Sequence, residues 1–348
     1  MVRILRIVGV LVATLLLLTT GFWFWASSGS IPQDAMMQTR TYGEARSASD
    51  TLTVMTYNIG YLSGMTNNQP VEGDPDLYAT NLGKAIDLVR AANPDIIGFQ
   101  EIDFGAERSF GVQQLDTLAQ TLAYADGAQA VNWNLQYLPF PYGSPSVHYG
   151  QIVSGQAILS TYPVLDHRST VLAETSRPYI SRVFYLDRLA QVADVAIGRD
   201  TVAVVNVHLE AFEDDVRRVQ AGEVRELVAD LMETGRPVLL IGDFNAVPDA
   251  ADDATLERVV DGLPMRRARP GRSDAAAERG EGNFGTYPGD APTRQIDHIF
   301  YMPRHMRAID TVIACGAPDP PSDHCAVTTT FAMRSGEREA TSGPKNAE

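Results

Sequence analysis

The chain has 348 residues, 45% of them hydrophobic, which is enough to bury a full core in one α/β unit. With 43 acidic against 28 basic residues, it carries a formal net charge of −15. That balance excludes a broad basic footprint for duplex nucleic acid, and no block of five like charges supplies a charged tail, leaving Arg182, Arg188, Arg217 and Arg218 as scattered candidates for a local basic strip.

Residues 7–33 contain no charged side chain, and 7–26 are predominantly apolar. At about 1.5 Å per residue such a run spans a hydrocarbon core of about 30 Å. Arg3 and Arg6 precede it and favour a cytoplasmic N-terminus, with Trp23, Phe24 and Trp25 as an aromatic belt at the far interface. Residues 1–26 therefore read as a transmembrane signal-anchor, or as a signal peptide with Ala26, Ser27 and Ser28 at its cleavage site. The remaining chain is then anchored on the non-cytoplasmic side, or secreted if the segment is cleaved. No Cys lies near this segment, which excludes an N-terminal lipoprotein anchor.

Residues 27–50 are polar and without a sustained period, as expected of a tether, and the catalytic part is expected over 51–333. Within it come six short polar signatures, each closing an apolar run of strand length: TVMTYNIG (53–60), PDIIGFQEID (94–103), VAVVNVHLEAF (202–212), PVLLIGDFNAVP (237–248), TRQIDHIFYMP (293–303) and SDHCAV (322–327). Between them, Leu82, Ile86 and Val89 mark a helix over 77–92, and Val216, Val219, Val224, Leu227, Val228 and Leu231 mark another over 214–233. Residues 133–149 are aromatic and Pro-rich, suiting either a lipid-facing lip or a packed loop. Residues 250–283 open as a short helical pattern and then read as a surface excursion, and 334–348 as a disordered tail.

Buried strands ending in Asn, Glu, His or Asp bring reactive groups to a shared rim. In GDFNAV, Asp243 and Asn245 leave an extended chain on one face while Phe244 takes the other. Glu101 offers a second carboxylate and Asp323 a third. Mg²⁺ takes oxygen ligands, uses few protein carboxylates and keeps several waters, so one or two of these acids suffice for a site; Mn²⁺ and Ca²⁺ suit the same donors. His208 and His324 complete the set, with Asp297 placed to orient an imidazole. An acid-amide pair, two His and further acids at strand ends form a metal-assisted hydrolase constellation. His148, His167 and His305 lack that context, and His298 faces away from Asp297 along a strand.

The six signatures, in this order, resemble the endonuclease/exonuclease/phosphatase superfamily with its deoxyribonuclease-like fold. The resemblance implies a four-layer α/β sandwich, two mixed and mostly antiparallel sheets face to face with helices outside. It implies that Asn58 and Glu101 bind or support a divalent metal, Glu101 principally, and that Asp323 completes the site. Asp243 and Asn245 would handle the scissile phosphate and attacking water. His324, held by Asp297, would be general base or phosphate-polarising group, and His208 would stabilise the phosphate or protonate the leaving oxygen; Arg188 matches a region where some members contact phosphate. Some members carry an acid or amide two positions after the first Asn, where this chain has Gly60, so that auxiliary metal contact is missing. The carboxylate partner of His208 is open, with Glu210 nearest in sequence.

The implied activity is metal-dependent hydrolysis of a phosphoester, foremost a phosphodiester, by an exported or membrane-anchored enzyme, with the membrane met through the N-terminal helix and no protein partner expected. An exported nuclease is the alternative, since the superfamily includes enzymes acting on lipids, nucleic acids and small phosphoesters. A membrane-tethered binding module without activity is the alternative of another class. Cys315 and Cys325 flank a loop between two strand-like runs and suit either a disulfide, which export permits, or two buried thiols.

Overall fold

A computed structural model of the protein describes residues 1–250, 252–271, 284–316 and 318–334. Residues 251 and 272–283 of the expected excursion over 250–283 and all but the first residue of the expected tail over 334–348 lie outside the described residues. The chain opens with one helix long and apolar enough to cross a membrane, α1 (Val2–Ala26). Residues 27–50, expected as a tether, instead lie along the domain. Ser30 N–H donates to Asn134 Oδ1 at 2.7 Å, and β1 (Met37–Thr41) pairs antiparallel with β4 (Asp126–Leu138) at a sheet edge. The polar side chains hid this strand because an edge position needs backbone partners more than apolar ones.

One seven-stranded sheet has the order β1-β4-β5-β3-β2-β13-β12, and adds to β1 and β4 the strands β2 (Thr51–Asn58), β3 (Ile96–Asp103), β5 (Gly150–Ser160), β12 (Met306–Ala314) and β13 (Ala326–Met333). The other, six-stranded, runs β10-β11-β9-β8-β7-β6, from β6 (Val164–Val171), β7 (Leu189–Ile197), β8 (Asp200–His208), β9 (Val238–Asp243), β10 (Arg266–Arg267) and β11 (Asp297–Tyr301). Each is antiparallel apart from one parallel pair, β2 with β3 and β8 with β9. Residues 133–138, expected within a connecting stretch, are the end of β4, which leaves a loop only from 139 to 149.

Side-chain alternation builds four layers. Val54, Ile96, Val202, Val204, Leu239, Ile241, Ile299 and Phe331 pack between the sheets. Their strand neighbours Met55, Tyr57, Ile97 and Phe99 pack outward against α2 (Pro75–Ala92) and α3 (Gln114–Leu122). On the opposite face Val205, Val207, Val238 and Leu240 pack against α5 (Asp214–Glu233) and α6 (Thr255–Val260). The helices form where the sequence shows the 3.6-residue period, and α2 is fixed at its ends by Asp74, whose carboxylate accepts from Asp76 N–H at 2.9 Å, and by Asn93 in the left-handed conformation. A four-residue turn of helix, α4 (Tyr179–Arg182), lies between β6 and β7.

The alternation continues to the strand ends. Asn58 continues the inward series of Val54 on β2, His208 that of Val204 on β8, Asp243 that of Ile241 on β9, and Asp297 that of Ile299 on β11. All four therefore enter the cleft between the sheets where the apolar filling ends.

Candidate active site

Asp243 stands at the centre of the cleft, buried. Asn58 Nδ2 donates to its Oδ2 at 3.0 Å, and the Nε2 atoms of His208 and His324 lie 3.6 and 3.8 Å from the same oxygen. Asn245 is not delivered by strand alternation, because β9 ends at Asp243 and Asn245 has φ +51°. Asn is among the few side chains that accept this conformation readily. The resulting turn lets Asn245 N–H donate to Asp243 Oδ1 at 2.9 Å, while its Nδ2 donates to Leu209 O at 3.0 Å and joins the exits of β8 and β9.

Glu101 needs a different device. Regular alternation would send it outward with Phe99, but the pairing of β3 with β5 slips between Phe99 and Ile102, and Glu101 has φ +51°. This bulge re-aims the carboxylate into the cleft, a strained arrangement for a residue with a Cβ. Its Oε1 lies 3.8 Å from His208 Nε2 and accepts from Asn58 Nδ2 at 3.4 Å.

Asp323 and His324 arrive on the loop before β13. Ser322 Oγ donates to Asn58 O at 2.8 Å and accepts from His324 N–H at 3.1 Å, which ties the loop to the end of β2. Cys315 and Cys325 are joined by a disulfide, just beyond the last pair of β12 and β13, Ala314 with Ala326. His324 Nδ1 is 3.0 Å from Asp297 Oδ2, the orienting contact expected from sequence.

One residue of this corner escaped the sequence reading. Asn67, on the loop after β2, donates from Nδ2 to Glu101 Oε2 at 3.0 Å and to both oxygens of Asp323 at 3.3 Å, while its Oδ1 is buried with no protein partner. The space is opened by Gly60: a Cβ there would stand 2.6 Å from Asp323 Oδ1 and 3.5 Å from Asn67 Nδ2. The amide absent at position 60 is thus replaced by one seven residues later, and only the pairing of two adjacent Asn in a polar loop hinted at it. Tyr287 was also missed; its ring centroid lies 5.0 Å from that of His324.

Arg188 is placed differently from its expected phosphate contact. Buried, its Nε donates to Glu210 Oε2 at 3.3 Å and its Nη2 to Tyr185 Oη at 3.1 Å, while Nη1 is buried without a partner. Glu210, the nearest acid in sequence to His208, is therefore the partner of Arg188. His298 faces the helix side, 3.0 Å from Ala246 O; His167 meets Gln191, and His148 meets Tyr137.

The electrostatics of the two histidines diverge. Burial disfavours a charged His324, but Asp297, Asp243 and Asp323 outweigh it and push its pKa up to about 10. For His208, burial, Arg188 and His324 all act downward and hold it well below the ordinary value. Burial and Asp297 raise Asp243 to about 7 against the pull of His324, and burial with Glu101 raises Asp323 to about 6 against His324.

A divalent cation fits this donor set. Three acids, Glu101, Asp243 and Asp323, crowd a half-buried corner, two of them cross-linked through one amide whose oxygen has no partner. One ligand atom from each of Asp243, Asp297 and His324 also lies within 4.8 Å of the others. That trio is already committed to the Asp297–His324 hydrogen bond, so the corner of Glu101 and Asp323 is the better-suited seat for a hard ion.

Residues 55–324 match the model of the Endonuclease/Exonuclease/phosphatase family. The chain belongs to that family. Its members hydrolyse phosphoric esters with the help of divalent metals, and this chain is a hydrolase of that class. Among solved structures, the human Nocturnin catalytic domain with bound sulfate is 15% identical, with 87% of this chain and 100% of that one covered and a TM-score of 0.56. Truncated TDP2 from Caenorhabditis elegans is 19% identical over 81% of this chain and 97% of that one, with a TM-score of 0.52. The mannosyl-6-phosphatase of Bacteroides thetaiotaomicron is 16% identical over 80% of this chain and 99% of that one, at 0.57. At these identities the likeness is one of fold. No curated protein matches the chain.

Proposed function

We propose that this family member is a Mg²⁺-dependent phosphodiesterase held at a membrane by α1, with its catalytic domain on the non-cytoplasmic side. The observation that carries the chemistry is the surrounding of Asp243 by Asn58, His208 and His324, with Asp297 behind His324. A diester suits the cleft better than a monoester. Among the described residues Glu101, Asp243, Asp297, Asp323 and Glu210 face it or stand beside it against Arg188, His324 and Arg294, whose guanidinium lies 4.8 Å from the Tyr287 ring, so a single negative charge is repelled less than two.

Glu101 and Asp323 would hold the ion, with Asn58 and Asn67 supporting them. A bound Mg²⁺ supplies charge neutralisation at a phosphoryl oxygen and at the leaving oxygen. Asp243, with a pKa near neutrality, takes the proton of the attacking water as that oxygen forms its bond to phosphorus. The bond from phosphorus to the leaving oxygen breaks, the leaving oxygen keeps the electron pair and takes a proton from solvent, and Asp243 returns its own to solvent. Asn245 holds Asp243 in register through its backbone N–H. His324, kept protonated by Asp297, polarises a phosphoryl oxygen, and neutral His208 donates a hydrogen bond to another. Arg188 supports the His208 side from within its pair with Glu210.

The test incubates the full chain in detergent with Mg²⁺, in parallel with plasmid DNA and with sphingomyelin or phosphatidylcholine vesicles, using His324→Ala as control. Mg²⁺-dependent headgroup release, lost about 10²- to 10⁴-fold in the variant, is expected. Plasmid nicking in its place would make the protein an exported nuclease. Inactivity on all substrates, with no Mg²⁺ uptake by calorimetry, would leave a binding module.

A further inference from the structure

The apolar helix does not leave the domain on a free linker. Trp23 Nε1 donates to Ile180 O at 3.3 Å, and its ring lies 6.0 Å from Tyr179 and 6.4 Å from Phe184. Phe22 and Trp25 pack on Tyr137, at 5.8 and 6.1 Å. Trp23 stands three residues before the end of α1, about 4.5 Å along its axis, so the α4 turn is level with the last turn of the helix. At that level Tyr179 and Ile180 are 64% and 72% exposed, beside a helix whose apolar side chains over residues 2–20 are all exposed. Two such residues on a tip next to a membrane-spanning helix match the side chains that settle in a bilayer interface.

The same segment leads into the cleft by two routes. Phe184 O accepts from Trp133 Nε1 at 3.0 Å, and Trp133 packs 6.3 Å from Tyr61, the neighbour of the Gly60 that makes room for Asp323. Three residues after Tyr185 comes Arg188, whose Nη2 donates to Tyr185 Oη at 3.1 Å and whose Nε donates to Glu210 Oε2 at 3.3 Å, two residues beyond His208. The Arg177 guanidinium lies 4.2 Å from the Tyr185 ring and 5.9 Å from that of Phe212, itself 73% exposed.

We propose that residues 177–186, with Tyr179 and Ile180 at the tip and Phe212 beside them, rest in the interface of the bilayer that α1 enters, so that the cleft takes its phosphodiester from a lipid headgroup in that leaflet. This rests on the phosphodiesterase reading and on retention of α1. Apolar insertion drives the contact, because a net charge of −15 opposes adhesion to an anionic surface. Fixed contact between anchor and domain orients the cleft for substrates that diffuse in two dimensions.

The experiment uses the full chain in phosphatidylcholine–sphingomyelin vesicles. In Ile180→Cys labelled with an environment-sensitive fluorophore, the native cysteines are bridged and only position 180 reacts. Blue-shifted emission, quenched when the acyl chains are brominated, is expected; the emission of a water-exposed label overturns the proposal. In the double variant Tyr179→Ser, Ile180→Ser, headgroup release should fall about ten-fold while hydrolysis of bis(p-nitrophenyl) phosphate holds within about two-fold, which also reports that the variant is folded. Equal rates on lipid in variant and wild type overturn it, as does a mature N-terminus beyond residue 26. Wild type that cleaves the soluble diester but no lipid overturns this proposal alone; wild type that cleaves neither overturns the phosphodiesterase reading beneath it.

Discussion

The half of the cleft built from β11 and the loop before β13 surrounds its histidine with carboxylates, whereas the half built from β8 sets its own beside a buried arginine. His324 lies against Asp297, Asp243 and Asp323 and is driven up to about 10. His208, equally buried, is driven down first by that burial and then by Arg188 and His324. The two imidazoles share one carboxylate oxygen of Asp243 at 3.6 and 3.8 Å, so neighbours beyond that oxygen set their opposite states. Burial weakens either histidine as a cation; only compensating acids reverse the sign.

The contrast is broken most severely from its cationic side. Arg188→Ala leaves Glu210 buried without its counter-charge, and a loss of about 3–5 kcal/mol in unfolding free energy is expected from denaturant titration. His298 provides the control in which burial dominates. It is driven down to about 4, from an unfolded value of 6.5. Between those values the unfolded chain binds a proton that the folded chain refuses, so this contribution is complete above pH 6.5 and is lost as pH falls toward 4. It amounts to about 3 kcal/mol at most. Urea midpoints at pH 7 and pH 4.5 should differ less in His298→Gln than in wild type.

Asp297→Asn removes the nearest acid from His324 at little cost in shape. Activity should fall about 10²-fold, and the His324 imidazole should titrate at lower pH by NMR in the metal-free protein. An unchanged titration would mean that Asp243 and Asp323 alone fix its state. The smallest effect belongs to Asn67→Ala, which takes away the amide shared by Glu101 and Asp323. Mg²⁺ affinity by calorimetry should weaken about ten-fold, as for groups that orient metal ligands, with the melting temperature of the metal-free protein little changed. Tighter Mg²⁺ binding in Asn67→Ala would assign the amide to competing with the ion rather than supporting it.

Much of this cleft was legible because strand periodicity is local. The inward placement of Asn58, His208, Asp243 and Asp297 follows from the alternation that packs Val54, Val204, Ile241 and Ile299. Glu101 was legible as a strand-end acid, but its direction was not, since the bulge that turns it is fixed by pairing with β5. The buried polar layer under the site was not singled out. Gln100 Nε2 donates to Asn206 Oδ1 at 2.6 Å, and Asn206 Nδ2 donates to Gln191 Oε1 at 3.1 Å, contacts that bring together three strands of two sheets. A Cβ on Gly98 would approach Asn206 Oδ1 to 2.9 Å, so that close approach depends on a residue whose sequence context looks ordinary.

By itself, the sequence determined the strands that carry the six signatures, the helices over 77–92 and 214–233, the apolar N-terminal segment and the family, because hydropathy period and strand-end chemistry are written within a few residues of each other. Tertiary structure alone decided that Glu210 serves Arg188 rather than His208, that Asn67 fills the space left by Gly60, that residues 37–41 join a sheet, and that Cys315 meets Cys325. It also decided that the end of α1 packs on the segment leading to Arg188. Each of these depends on which distant backbone lies within hydrogen-bonding or van der Waals reach, and that proximity is set by closing the two sheets against one another.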